Sequence, residues 1–247
     1  MRRKGFALDA AAVIFWIALW HVGAVLANRT LLLKIPLPLG TLRTFLRLCG
    51  EGRFWRGVSS SILHILCGFL SAAVLGTAGG AASAGSGWFR RFSAPLLRLI
   101  RTVPVAAFIM LAWLWIPSRI LPSFVSALMV LPIVWSHVDA GLASVDEQLP
   151  EMAKVFGMTR WQILAKIRLP LMEPTLRTGC LTGVGIAWKA GIAAEVICNP
   201  AGSIGALLQG AKAAIDYERV FAVTLMVVLL SLLFEHALKL VWKEQKR

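Results

Sequence analysis

The 247-residue chain is dominated by apolar side chains: 58% of its residues are hydrophobic, 15% are charged, and its mean hydropathy is +0.74. This composition is typical of an integral membrane protein and excludes an ordinary soluble domain. A net charge of +14 would suggest nucleic-acid binding in a soluble protein. In a membrane protein, cationic loops account for that charge, so we expect contact with membrane lipid and no nucleic-acid partner.

Six apolar windows are long enough to cross about 30 Å of hydrocarbon as helices. In chain order they cover residues 6–27, 57–79, 96–116, 120–142, 174–198 and 219–241. The first window is longer than the roughly 7–15 residue core of a cleaved signal peptide, so we expect it to remain as a span. A short turn separates the third and fourth windows, which predicts a hairpin. Prolines are expected to kink these two helices or shift their ends, at Pro104, Pro122 and Pro132.

With six spans, both ends of the chain lie on the same side of the membrane. Placing them in the cytoplasm puts the larger share of the Lys and Arg residues inside, as the positive-inside rule requires. The first outer loop is unusually cationic. Arg43 and Arg47 lie there on one face of a short predicted helix, and another face carries Leu42, Phe45, Leu46 and Cys49. This amphipathic segment is expected to rest on the lipid surface.

The chain lacks the motifs of an enzyme with its own energy source. Lys189 is not preceded by the glycine-rich turn of a phosphate-binding loop, so nucleotide hydrolysis by this chain is not expected. We find no set of nucleophile, base and orienting residue, and therefore expect no catalytic residues. The four Cys and four His residues are scattered, which predicts no metal site and no cofactor bound to this chain. A channel, an ion-coupled carrier and a subunit of a powered transporter remain possible.

A polar segment at residues 144–170 separates the fourth and fifth windows. Capping-box patterns at Ser144–Glu147 and Thr159–Gln162 predict two short helices, beginning near positions 146 and 160. Gly157 is expected to end the first helix in the left-handed conformation, and Leu169–Pro170 is expected to stop the second. A loop with this much apolar surface is expected to bind a partner.

This segment contains a spaced motif of the form E-x-A, three residues, G, nine residues, I-x-L-P, formed by Glu151, Ala153, Gly157, Ile167, Leu169 and Pro170. The motif resembles the EAA loop of ABC-importer permeases, with Met152 where a second small residue usually stands. The run A-W-x-x-x-x-A-A-E, from Ala187 to Glu195, is similar to that of the nitrate/sulfonate/taurine branch of these permeases.

The resemblance implies an all-α integral membrane fold resembling type I ABC-importer permeases, with six transmembrane helices in a single permease domain, residues 1–247. It implies that the loop at 144–170 docks on a cytosolic ATPase, which holds ATP and Mg²⁺. An extracytoplasmic binding protein would deliver the solute, and a second permease copy would complete the path in a bacterial inner membrane. The implied ATPase-coupling residues are Glu151, Met152, Ala153, Phe156, Gly157, Ile167, Leu169 and Pro170.

The fifth window contains the candidate residues of the translocation path, Trp188, Lys189 and Glu195. A charge inside the membrane should face protein or water rather than lipid. Lys189 and Glu195 lie on different faces of an ideal helix, so they are not expected to pair. One hypothesis is that Lys189 faces the path and favours an organic anion such as a sulfonate; the other is that it makes a structural contact with another span or a lipid. Glu195 is equally suited to an outer gate or a receptor contact.

Two rivals to the importer remain open at this stage. An ion-coupled secondary transporter would be expected to carry an inverted repeat and ionisable relays, and neither is evident in the sequence. A membrane scaffold would use the 144–170 loop only to bind a cytosolic partner. The sequence does not define the transported solute, nor whether the second permease copy is identical.

Overall fold

The computed structural model describes the backbone of residues 2–30, 34–146 and 148–244, and the side chains within these ranges except those of residues 2–10, 30, 160 and 241–244. The described chain is helical, with no strand in these ranges. Its α-helices are α1 (Arg2–Thr30), α2 (Pro38–Cys49), α3 (Gly52–Gly85), α4 (Gly87–Thr102), α5 (Val105–Trp113), α6 (Leu121–Ala143), α7 (Gln148–Val155), α8 (Arg160–Ile163), α9 (Leu169–Cys198), α10 (Ile204–Ala213) and α11 (Tyr217–Glu244).

Five of the six predicted windows lie in helices long and apolar enough to cross a membrane: α1, α3, α6, α9 and α11. The third window, residues 96–116, is broken rather than one straight helix, which confirms the kink expected at Pro104. It falls on α4 and α5, which are bent by 102° relative to each other. The break lies at Val103, whose backbone is extended because the ring of Pro104 disfavours the helical conformation in the preceding residue.

The centre of the fold is a layer of three helices in which α6 packs along both α3 and α9. Glycines allow the close contact between α3 and α6. A Cβ atom at Gly79 would lie 2.1 Å from the Trp135 ring, and one at Gly80 would lie 2.6 Å from the Trp135 carbonyl oxygen. Gly76 lies one helical turn before Gly80 and serves the same packing, since a Cβ atom at Gly76 would lie 2.9 Å from Val134.

The short helix α2 packs against the start of α11. Its buried face contains Thr41, Thr44 and Leu48, and the Thr44 hydroxyl donates a hydrogen bond to Glu218 over 3.0 Å. The apolar residues predicted to share one face of α2 therefore have two environments. Phe45 and Cys49 pack on the protein core, while the exposed leucines are Leu42 and Leu46.

We predict that Gly79→Ala lowers the thermal stability of the purified protein, because the added methyl group would overlap the Trp135 ring. Overpacking of this kind typically costs about 1–3 kcal/mol. Differential scanning fluorimetry in detergent would measure the change. Gly23→Ala is the matched control, since nothing lies within 4 Å of a Cβ atom there. Equal melting temperatures for the two variants would contradict the packing account.

Candidate functional site

The 144–170 loop begins with a cap different from the one predicted. The Ser144 hydroxyl donates back to the Gly141 carbonyl over 2.8 Å, and the Asp146 carboxylate accepts from the Gln148 amide over 2.9 Å. Ser144 still has helical backbone angles at the end of α6, so its hydroxyl lies beside the preceding turn. Asp146 thus caps the start of α7, while the predicted pairing of Ser144 with Glu147 stays a prediction because Glu147 lies outside the described residues.

The turn between the two short helices follows the sequence prediction. Gly157 has a φ angle of +77°, a left-handed conformation that glycine adopts without a steric penalty. The amide of Met158 donates to the Ala153 carbonyl over 3.0 Å, which satisfies a carbonyl at the end of α7. The second capping box is also confirmed: the Thr159 amide donates to the Gln162 side chain over 2.8 Å, and the Gln162 amide donates to the Thr159 hydroxyl over 3.3 Å.

The second helix does not stop at Pro170, so that prediction was wrong. After α8, residues Leu164–Arg168 form one π-helical turn, and α9 follows without a break to Cys198. The Leu169 amide donates to the Leu164 carbonyl, five residues earlier. This wider turn shifts the carbonyl groups that the ring of Pro170 would otherwise meet. The loop is therefore mechanically continuous with the fifth span.

The loop presents an exposed apolar patch, defined here as Met152, Val155, Phe156 and Trp161, whose exposed fractions are 54%, 86%, 78% and 79%. Ala153 and Ile163 are buried beneath it and hold the helix pair together. Side chains of this size rarely remain exposed in a monomer outside an interaction surface. These are the exposed apolar side chains through which we expect the loop to bind a partner.

The structure brings together residues from both ends of the spaced motif. Met152, Ala153 and Phe156 line an open cleft of about 390 Å³ with Ile167 and Pro170. The remaining motif residues, Glu151, Gly157 and Leu169, are exposed and lie outside the lining of this cleft. The motif thus surrounds the junction of the two short helices with the start of α9.

The three candidate path residues have different environments. Trp188 is buried, and its indole nitrogen donates to the Val227 carbonyl over 2.9 Å. Glu195 has no exposed surface and accepts hydrogen bonds from the Ser61 hydroxyl and the Gly205 amide. Lys189 alone of the three is exposed. No ion pair joins Lys189 to Glu195 among the described side chains.

Lys189 belongs to an exposed stripe along α9, which the sequence reading missed. The stripe consists of Thr178, Thr182, Gly185 and Lys189, whose spacing of three and four residues places them on one helical face. Thr178 and Thr182 are exposed, and nothing lies within 4 Å of a Cβ atom at Gly185. Since an ammonium group inside a membrane is costly against lipid, we expect this stripe to face water or protein.

No group of three or more His, Cys, Asp or Glu residues is positioned to hold a metal ion in the part of the chain that the structure describes. Sequence reasoning also missed Ser61 and His64 as neighbours of Glu195. They lie more than 130 positions away along the chain, and only the packing of α3 against α9 brings them together.

Residues 60–245 match the family model described as "Binding-protein-dependent transport system inner membrane component". The riboflavin transport system permease protein RibX of Chloroflexus aurantiacus is 31% identical over 73% of this chain and 71% of its own length. The putative aliphatic sulfonates transport permease protein SsuC of Bacillus subtilis is 28% identical, over 89% of this chain and 78% of its own. The taurine transport system permease protein TauC of Escherichia coli is 27% identical, over 84% and 77%.

Solved structures have the same fold. A chain of a bacterial ABC transporter that imports the acidic polysaccharide alginate aligns over 99% of this chain and 98% of its own, with a TM-score of 0.62 and 17% identity. A chain of the inward-facing methionine transporter MetNI aligns over 78% of this chain and 94% of its own, with a TM-score of 0.59 and 17% identity. At these identities the likeness concerns the fold.

We predict that Gly157→Ala loosens the turn between α7 and α8, because a left-handed residue with a Cβ atom costs about 1–2 kcal/mol. Amide hydrogen exchange of a peptide covering this turn should accelerate by roughly tenfold. Gly85→Ala is the control, since Gly85 has no positive φ angle and no neighbour within 4 Å of a Cβ atom. Unchanged exchange in Gly157→Ala would show that the turn does not depend on glycine.

Proposed function

We infer that the 144–170 loop receives the force of a cytosolic ATPase, because this chain belongs to the family of binding-protein-dependent transport system inner membrane components. The chain is a multi-pass permease subunit of an ABC importer. This family assignment excludes the two alternatives that the sequence had left open, an ion-coupled carrier and a membrane scaffold. The observation that supports the loop's role is its apolar patch, which exposes Phe156 by 78% and Trp161 by 79% in a loop held by two caps.

The loop is suited to docking in a groove on another protein. Large aromatic side chains at the centre of an interface contribute most of the binding energy, and Phe156 and Trp161 have that position in the patch. Glu151, Met152 and Ala153 lie on α7, while Ile167, Leu169 and Pro170 join the docked pair to the span. ATP and Mg²⁺ would be held by the partner ATPase, and closure of that partner would displace the loop together with α9.

We predict that Phe156→Ala weakens binding of the ATPase at least tenfold, since truncation of an aromatic anchor commonly costs 2 kcal/mol or more. Affinity would be measured by titrating the purified ATPase against the permease in nanodiscs, and ATP-driven uptake should fall with it. Leu39→Ala is the control because Leu39 is 68% exposed on α2, outside the loop. Equal affinity for wild type and Phe156→Ala would refute the docking role.

The exposed stripe on α9 is the face that we assign to the translocation path. One copy of the chain leaves Thr178, Thr182 and Lys189 uncovered, and a second permease copy would enclose the stripe between two subunits. We take that second copy to be identical. Within this arrangement Trp188 supports the path indirectly, because its side chain is packed on Phe234 with ring centroids 5.3 Å apart.

The solute that we propose is a small organic anion such as a sulfonate. Lys189 supplies a cationic group within the span. A charge there is costly without a partner, so it favours an oppositely charged solute. Two of the relatives are named for aliphatic sulfonates and for taurine, and the sulfonate group is anionic at neutral pH. The ammonium group of Lys189 would attract such an anion, while the hydroxyls of Thr178 and Thr182 would offer hydrogen bonds.

We also propose how the chain is oriented in the membrane and which protein delivers the solute. The loop faces the cytoplasm, both chain termini lie on that side of a bacterial inner membrane, and α10 lies on the outer side. An extracytoplasmic binding protein would deliver the solute there. A solved structure of a bacterial alginate ABC transporter supports this partner, since it is a complex with a periplasmic protein that binds an alginate pentasaccharide.

We predict that Lys189→Met abolishes or strongly reduces uptake of an organic anion while the complex still assembles, because the variant removes the only cationic group of the stripe. Radiolabelled taurine or an alkanesulfonate would be the tested solutes, in proteoliposomes that contain all subunits. Arg98→Met removes an exposed cation from α4, to which no part of the path is assigned, and serves as the control. Normal uptake by Lys189→Met would contradict the path assignment.

A further inference from the structure

Glu195 is the most completely buried ionisable side chain that the structure describes, with 0% of its surface exposed. Its Oε2 atom accepts two hydrogen bonds: from the Ser61 hydroxyl over 2.7 Å and from the Gly205 amide over 3.1 Å. Ser61 in turn accepts a bond from the Ile204 amide over 2.9 Å. The carboxylate on α9 and the hydroxyl on α3 thus satisfy two amides in the first turn of α10.

Other contacts hold the same end of α10 close to α9. A Cβ atom at Gly205 would lie 2.4 Å from the backbone of Glu195, so only glycine permits this approach. Farther along α10, the Gln209 side chain donates to the Val196 carbonyl over 2.6 Å. The acceptor oxygen Oε2 of Glu195 also lies at the positive end of the α10 dipole, a place that favours acceptors.

The cluster has one incomplete connection. Oε1 of Glu195 and Nδ1 of His64 are buried and have no hydrogen-bond partner, and they lie 4.0 Å apart. A small rotation of either side chain would bring them into hydrogen-bond distance. The attachment of α10 can therefore gain one more bond on the α3 side without rearrangement of the backbone.

We propose that Glu195 is a positioning residue that fastens α10 to the end of α9 farthest from the 144–170 loop, so that α10 moves with α9 during transport. This proposal rests on the proposed function, in which the loop drives α9. The continuous helix from α8 to Cys198 is long enough to span the membrane, and Glu195 lies within one turn of its end. Glu195 thus acts on α10, not on the solute.

Hydrogen exchange of a peptide covering Ile204 and Gly205 tests the attachment in nanodiscs that contain the whole importer. Glu195→Leu keeps much of the side-chain volume and removes both acceptor bonds, so exchange should accelerate at least tenfold. Glu195→Gln keeps a neutral acceptor at the same place and should have a smaller effect. Ser61→Ala should also accelerate exchange, whereas Ser59→Ala should not, because the Ser59 hydroxyl bonds only to its own helix.

Taurine uptake per ATP hydrolysed is the readout that a loss of folding alone would not move. We expect this ratio to fall in the order wild type, Glu195→Gln, Glu195→Leu, with the ATPase rate of the assembled complex retained. Equal losses of uptake per ATP in Glu195→Gln and Glu195→Leu, with hydrogen exchange unchanged in both, would overturn the proposal. Glu195 would then act through its charge. Normal coupling in Ser61→Ala despite faster exchange would overturn it as well. If the wild-type complex shows no ATP-dependent uptake, the proposed function fails, while the exchange results still test the attachment.

Discussion

The junction at Pro170 determines how the loop and the membrane domain are connected. A proline at this place would ordinarily end or kink a helix, and the loop would then hang from the span by a flexible joint. The single π turn at Leu164–Arg168 instead carries the helix through, with the Leu169 amide bonded five residues back. Because a helix transmits displacement along its axis, the loop and the fifth span form one lever.

That lever is useful only if the rest of the membrane domain holds it firmly. Close packing of α3, α6 and α9 supplies this support, and it depends on glycines such as Gly79, where a methyl group would overlap the Trp135 ring. The same packing leaves one face of α9 uncovered, with Thr182 and Lys189 on it. At the far end, Glu195 and Ser61 attach α10. The proposed ATPase contact, the candidate path and α10 are therefore arranged along one element.

Features governed by neighbouring residues were predictable from the sequence. The left-handed Gly157 and the reciprocal cap between Thr159 and Gln162 depend on a few adjacent positions, and most spans follow from long apolar windows. Features that depend on competing local preferences, or on residues distant in the chain, could not be predicted from the sequence. Pro104 breaks its helix whereas Pro170 does not, because only the latter follows a π turn. The partners of Glu195 come from α3 and α10, which no local pattern connects to it.

Distance measurements between spin labels at Lys154 and Thr182, in a background without the native cysteines, test most directly whether the loop and the fifth span move as one body. Lys154 is exposed on α7, and Thr182 is exposed on α9. The labels would be measured by pulsed electron resonance in the assembled importer, without nucleotide and with a trapped ATP state. A rigid lever predicts that the distance stays the same within about 1–2 Å, the displacement seen when packed helices shift slightly, while the complex hydrolyses ATP. A change of about 5 Å, one helical turn, would show that the junction at Pro170 bends and would contradict the account.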